Sequence, residues 1–114
     1  MLLFHGLPGS RLQRPDQEAG YFAARGVRLI SVDRPGIGLS DPLPNRRLLE
    51  WPEDVRQLAD ALGLRRFRVV GISGGGPYAL ACAYALPDRI PAAATVGGLA
   101  PFAAEKLAEE FERL

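Results

Sequence analysis

The sequence is poor in the residues from which disulfides and metal sites are usually built. It contains one cysteine and one histidine in 114 residues. Cys82 alone excludes an intramolecular disulfide and a cysteine-based zinc site. His5 alone excludes a metal site made of several histidines. We therefore expect no metal site of either kind.

An excess of charge of one sign is also lacking. The 14 basic and 13 acidic residues give a formal net charge of +1 at pH 7. A chain with this balance has no overall field that would attract nucleic acid or an acidic membrane surface. We therefore expect neither nucleic acid nor a membrane among its partners.

Long hydrophobic runs are missing as well. The apolar run at residues 1–4 ends at His5 and Gly6, which is too short for the core of a signal peptide. No run approaches the ~20 apolar residues that a membrane-spanning helix needs. These features favour a cytoplasmic protein.

What is present is typical of a folded domain. The sequence is 47% hydrophobic and 24% charged, with 13 glycines and 10 prolines, which is ordinary for a soluble globular chain. A length of 114 residues suits one domain with a modest core. We therefore treat residues 1–114 as a single domain.

Short strand-like runs alternate with longer helix-like segments along the chain. Apolar and β-branched runs predict strands, and apolar residues three or four positions apart predict helices. Helices placed between strands imply βαβ units, so we predict an α/β fold with three layers, α/β/α, and a mainly parallel sheet of about four strands. The predicted strands are 1–4, 28–32, 67–72 and 93–96, and the predicted helices are 16–25, 52–62, 77–86 (apolar on nearly every side) and 105–114.

One motif points to chemistry. Gly71, Ser73 and Gly75 match the pattern G-x-S-x-G between a predicted strand and a predicted helix. A serine on such a tight turn sits in strained backbone with its hydroxyl exposed, and small neighbours are needed to avoid clashes. The following helix directs backbone N–H groups and its positive dipole end at developing negative charge. The context predicts a nucleophilic serine at Ser73.

A dinucleotide-binding unit is the main alternative for the same glycines. Residues 74–79 formally fit G-x-G-x-x-A after a strand. That unit needs an acidic residue about 20 positions further on to hold the ribose, and residues 92–98 contain none. Pro77 and a serine inside the turn also fit a nucleophile turn better, so we disfavour this alternative.

Three stretches together identify a family resemblance. Residues 5–9 (His-Gly-Leu-Pro-Gly) and residues 33–41 (Asp-Arg-Pro-Gly-Ile-Gly-Leu-Ser-Asp) each follow a predicted strand, and residues 71–75 span the end of the third. In this order and spacing the chain resembles the α/β-hydrolase superfamily over residues 1 to about 100. The resemblance implies a partial α/β-hydrolase fold, with residues from about 101 to 114 starting a cap or lid segment.

The resemblance implies roles for individual residues. Ser73 matches the nucleophile, and the backbone N–H groups of Leu7 and Gly74 match the two donors of the oxyanion hole. We expect both N–H groups to point at one position near the Ser73 hydroxyl. His5 matches a residue that organises the first donor loop, and residues 33–40 match a loop that packs beneath the site. The supporting residues are His5, Gly6, Gly71 and Gly75.

The resemblance also implies a function. We expect a serine hydrolase that acts on a small-molecule ester, amide or related carbonyl substrate through an acyl-enzyme, without a metal or organic cofactor. In this family an acid and a histidine follow the serine, but no histidine follows Ser73. We therefore expect an incomplete, inactive fragment whose exposed strand edges favour self-association. The alternative is a non-catalytic member that binds a small ligand.

Overall fold

The computed structural model describes residues 1–13 and 20–99. Short strands and two α-helices alternate within these ranges, joined by loops and three single 3₁₀ turns. The strands are β1 (Leu2–Phe4), β2 (Ile30–Val32), β3 (Val69–Ile72) and β4 (Ala93–Val96); the α-helices are α1 (Trp51–Ala61) and α2 (Gly76–Ala85); and the 3₁₀ turns are Ala23–Arg25, Leu48–Glu50 and Ser73–Gly75.

The four strands form one sheet in the order β2-β1-β3-β4, and every pairing is parallel. Phe4 at the end of β1 lies opposite Val32 on one side and Gly71 on the other. The predicted α/β class and parallel sheet are therefore confirmed. The chain passes from β1 to one neighbour and then crosses back to the other, so the strand order reverses beside β1.

The core lies between the sheet and the two helices. Helix α1 begins with Pro52 in its first turn, and its buried stripe is Trp51, Val55 and Ala59. Trp51 meets the ring of Phe4 edge-to-face at 5.3 Å between ring centroids. Leu3, which points to the opposite face of β1, is only 1% exposed. Both faces of the central strand are thus covered, and the two described α-helices share the core on the Phe4 side.

Two predictions about the helices need correction. The helix predicted over 16–25 is, in its described part, a single 3₁₀ turn at Ala23–Arg25 that ends at Gly26 with φ of 66°. Ala23 is exposed and Phe22 only half-buried, so no apolar stripe anchors a longer helix there. Helix α2, predicted to be buried all round, leaves Leu80 57% exposed because only its other side packs on the sheet.

Several predicted segments lie outside the described residues, namely 14–19, the helix 105–114 and the cap segment from about 101. Within the described ranges, no helix combines the length and apolar character needed to cross a membrane.

Cys82 is fully buried in α2, and this leads to a prediction about its reactivity. Burial raises the pKa of the Cys82 thiol to about 12. Because the thiolate is the reactive form, we expect an aromatic disulfide reagent at pH 8 to modify the native protein at least ~10³-fold more slowly than the urea-unfolded protein. Absorbance of the released thiolate measures both rates, with Cys82→Ala as the background. Prompt reaction of the native protein would contradict the buried assignment.

Candidate active site

The candidate site lies at the carboxyl ends of β1 and β3. These strands are neighbours in the sheet, and the order of strands reverses beside β1. In open α/β sheets, ligands bind outside the carboxyl ends of the strands at such a reversal. The loop that begins at His5 and the turn that begins at Ser73 leave the sheet side by side at this point.

Ser73 occupies a strained turn between β3 and α2. Its φ is 48°, in the left-handed region that residues with a side chain rarely adopt, whereas Ile72 before it is extended. The turn Ser73–Gly75 is 3₁₀, and α2 continues from Gly76. The predicted sharp turn with strained angles at Ser73 is therefore confirmed. Such strain at a polar residue concentrates at functional sites.

Gly71 and Gly75 lie on either side of Ser73, where a side chain would overlap neighbouring backbone atoms. A Cβ on Gly71 would overlap the carbonyl oxygen of Gly75 and lie 2.8 Å from Cα of Gly76. A Cβ on Gly75 would overlap the carbonyl oxygen of Phe4 and lie 2.8 Å from that of His5. These two glycines let the turn fold tightly on itself and pack directly against the end of β1.

The loop after β1 meets the Ser73 turn closely. A Cβ on Gly6 would lie 3.4 Å from Cβ of Ser73, and a Cβ on Gly74 would lie 3.0 Å from Cγ of Leu7. The Gly6 N–H donates to the Gln13 side chain at 3.0 Å, so it is already used. The structure thus brings Leu7, Gly74 and Ser73 together. The convergence of the Leu7 and Gly74 N–H groups on one position stays a prediction.

His5 is buried and committed to the loop. It is 1% exposed, and its Nδ1 lies 2.8 Å from the carbonyl oxygen of Gly6, to which it donates. Its Nε2 is buried and has no hydrogen-bond partner among the described residues. Burial above all, together with the nearby Arg34 cation, lowers the pKa of His5 below its ordinary value, so the ring is neutral at pH 7.

Arg34 is a contributor that the sequence analysis did not single out. Its side chain is 4% exposed and reaches back from the end of β2 to the carbonyl oxygens of His5, at 2.6 Å, and Gly6, at 3.2 Å. Its guanidinium also lies 4.6 Å from the centroid of the Tyr78 ring in α2. Burial lowers the pKa of Arg34, but a guanidinium keeps its proton in proteins. The signal in the sequence was its place in the stretch 33–41, two residues after a predicted strand.

Asp33, the residue before it, holds the far part of the same loop. Its carboxylate accepts the Arg11 backbone N–H at 2.5 Å and pairs with the Arg11 guanidinium. Burial alone would raise the pKa of Asp33, but the hydrogen bonds from Arg11 outweigh it and hold that pKa below its ordinary value. Arg34 therefore holds the beginning of the loop 5–11, and Asp33 holds its end. This agrees with the predicted supporting role of residues 33–40.

No metal centre is evident in the part of the chain that the structure describes. No group of three or more histidine, cysteine, aspartate or glutamate side chains lies close enough together there to hold an ion. The chemical resources of the site are a strained serine, backbone N–H groups and the start of a helix.

Comparison with known proteins gives the class. The family model described as alpha/beta hydrolase fold matches residues 1–114. The chain therefore belongs to the α/β-hydrolase family, and the predicted family resemblance is confirmed.

The chain is also similar to individual proteins. The chain is 36% identical, over 85 residues, to the 2-hydroxy-6-oxononadienedioate/2-hydroxy-6-oxononatrienedioate hydrolase of Paraburkholderia phymatum, covering 68% of this chain and 27% of that protein. It is 35% identical to the non-heme chloroperoxidase of Streptomyces lividans, covering 89% of this chain and 37% of that one. The structure of an alpha/beta hydrolase fold protein from Nakamurella multipartita matches with a TM-score of 0.69 and 36% identity, over 85% of this chain and 34% of that chain. The chain thus spans between a quarter and two fifths of these relatives' lengths.

Proposed function

We propose that this chain carries the nucleophile half of a serine hydrolase active site. One observation carries the proposal, namely the φ of 48° at Ser73 in a turn that packs against the loop of Gly6 and Leu7. Strain of this kind costs about 1–3 kcal/mol and is retained where exposing the side chain serves a function. Ser73 is half-buried at the carboxyl end of the sheet, where ligands of α/β proteins bind.

The proposed chemistry is acyl transfer. The Ser73 oxygen attacks a carbonyl carbon, its proton passes to a base, and the carbonyl oxygen becomes an oxyanion. The Leu7 and Gly74 N–H groups donate hydrogen bonds to that oxyanion, and the first turn of α2 adds its positive dipole end. Collapse of the tetrahedral species expels the leaving group and leaves an acyl-enzyme, which water then hydrolyses.

The base is not assigned to a residue of this sequence. Its single histidine, His5, already donates Nδ1–H to Gly6 and is buried at 1% exposure. The proposal therefore assigns the base and its orienting acid to groups outside these 114 residues.

The substrate class follows from the nucleophile and stays broad. A serine nucleophile suits a carbonyl compound such as an ester, an amide or an activated ketone. The relatives' names cover a hydrolase of 2-hydroxy-6-oxo dienedioates and a chloroperoxidase. Because these names differ while the matched region is shared, we propose that the choice of substrate depends on residues outside the matched region.

Site-selective phosphonylation tests the nucleophile. We expect a fluorophosphonate to label Ser73 slowly in plain buffer and in proportion to added imidazole, which substitutes for the base. Peptide mapping by mass spectrometry locates the label. Ser73→Ala should lose it, while Ser31→Ala, which removes a buried hydroxyl of β2 with no partner among the described residues, should keep it.

The outcomes separate the alternatives. Labelling spread evenly over Ser10, Ser31, Ser40 and Ser73 would overturn the nucleophile assignment and favour a non-catalytic ligand-binding member. Rapid labelling of Ser73 without imidazole would show that a base lies within the chain.

A further inference from the structure

The geometry points to Arg34 as the positioning residue that orients the Leu7 N–H toward the Ser73 turn. The inference rests on the proposed function, because it concerns the donor that would meet the oxyanion. Arg34 touches no reacting atom. It acts through the backbone of the loop that follows β1.

The planarity of the peptide bond couples the direction of the Leu7 N–H to that of the Gly6 carbonyl. The Gly6 carbonyl and the Leu7 N–H belong to one planar trans unit and point in opposite directions. Fixing the carbonyl therefore fixes the N–H. The Gly6 oxygen is held by two donors on one side, His5 Nδ1 at 2.8 Å and Arg34 Nη2 at 3.2 Å. The Leu7 N–H consequently points away from Arg34.

The preceding peptide unit is held in the same way. Its carbonyl, from His5, accepts a hydrogen bond from Arg34 Nη1 at 2.6 Å. Its N–H, from Gly6, donates to the Gln13 side chain at 3.0 Å. One guanidinium thus holds two consecutive peptide planes, and its rigid fork presents the two N–H groups in a fixed relative direction, which a rotatable ammonium does not.

The other contacts of Arg34 fix the guanidinium itself. The group lies against the Tyr78 ring of α2, at 4.6 Å from its centroid. Tyr78 lies five residues after Ser73, on helix α2, which begins directly after the Ser73 turn. Arg34 therefore contacts both the loop that contains Leu7 and helix α2, which follows Ser73.

The environment of Arg34 is unusual for a group that serves stability alone. It is 4% exposed, and its hydrogen bonds in the described ranges go to the backbone carbonyls of His5 and Gly6. Burying a charge without a carboxylate costs free energy, and apolar replacements of buried ionic groups are often neutral or stabilising. An apolar side chain could fill the same space, but only a hydrogen-bond donor can hold the two carbonyls in one orientation.

The test compares Arg34→Met and Arg34→Lys with Arg66→Met, which changes an exposed arginine. Rates of imidazole-dependent phosphonylation at Ser73 are measured where urea curves show each protein fully folded. We expect Arg34→Met to lose about 10²-fold in rate, similar to losing one oxyanion donor, whatever its stability. Arg34→Lys should recover part of the rate because an ammonium still donates hydrogen bonds but lacks the rigid fork of the guanidinium, and Arg66→Met should match the unaltered protein.

A second readout does not depend on labelling. In ¹H–¹⁵N spectra, Arg34→Met should shift the Leu7 and Gly6 amide signals, while those of Val69 and Val70 in β3 stay in place. If the unaltered protein is not labelled at Ser73 even with imidazole, the proposed function is overturned. The spectral test of Arg34 still applies in that case. Arg34→Met with a rate within about threefold of the unaltered protein and an unshifted Leu7 amide would overturn the positioning role. If Arg34→Met does not fold, Arg34→Lys decides by the same two measurements.

Discussion

Gly75→Ala should lower the free energy of unfolding by about 3 kcal/mol or more, although it adds a single methyl group. The backbone of Gly75 has φ of −81° and ψ of −18°, which alanine adopts freely. The cost is therefore steric. The new Cβ would overlap the carbonyl oxygen of Phe4 and lie 2.8 Å from that of His5. Both are backbone atoms of the central strand and its exit, so no rotamer change relieves the contact.

Thermal unfolding followed by circular dichroism measures this effect. For a domain of this size, about 3 kcal/mol corresponds to a fall in Tm of roughly 10 °C or more. Gly20→Ala is the matched control, because a Cβ there meets no atom within 4 Å. It should leave Tm unchanged or raise it slightly by restricting the unfolded chain. Equal Tm values for the two variants would show that the Ser73 turn does not press against β1 as described.

The alternation of strands and helices and the sharp turn at Ser73 were predictable because they depend on local patterns. Strands and helices can be recognised from the spacing of their apolar residues in the sequence alone. Examples are the β-branched runs and the helical stripe Trp51, Val55 and Ala59. The strain at Ser73 was equally local, since glycines on both sides leave room for a tight turn. Strand bounds came out shorter at residues 28–32 and 67–72, where only the last residues enter the ladder.

The contacts that hold the loop were not predictable, for a physical reason. Arg34 bonds backbone carbonyls 28 and 29 positions away, and a carbonyl is present at every residue, so no pairing of residue types reveals the partner. The exposed side of α2 was missed for a related reason. An apolar composition such as that of Leu80 and Tyr84 does not show which faces of a helix are covered.

Strand β4 is exposed, yet the segment after it contacts the candidate site. All four of its residues are exposed, and it forms one edge of the sheet in the described ranges. Its place was nevertheless fixed by contacts near the site: the Leu99 N–H after β4 donates to the Ser73 carbonyl at 3.3 Å, and Gly98 lies against Gly76. The segment after β4 therefore contacts the Ser73 turn and the start of α2, although the strand itself buries little surface.

The 114-residue protein should show almost no Ser73-dependent ester hydrolysis without added base. A serine hydroxyl is a weak nucleophile until its proton is removed, and loss of the histidine in a comparable triad lowers kcat by about 10⁶-fold. What remains comes from the oxyanion donors and binding, about 10³–10⁴ over water. Release of p-nitrophenol from its acetate is compared for the unaltered protein, Ser73→Ala and His5→Asn, whose amide can still donate to the Gly6 carbonyl. All three rates should lie close together.

The pH profile decides whether His5 takes any part as a base. A base acts in its deprotonated form, and the pKa of His5 is lowered from the ordinary 6.5, mainly by burial. If His5 removed the Ser73 proton, the Ser73-dependent rate would rise with pH up to that lowered pKa and then stay level. We expect a rate that instead follows hydroxide concentration across pH 6–9, because no group in the site titrates there on behalf of Ser73. A plateau above pH 6.5 that disappears in His5→Asn would make His5 the base, and the buried Nε2, which has no partner among the described residues, would then be the atom that receives the proton.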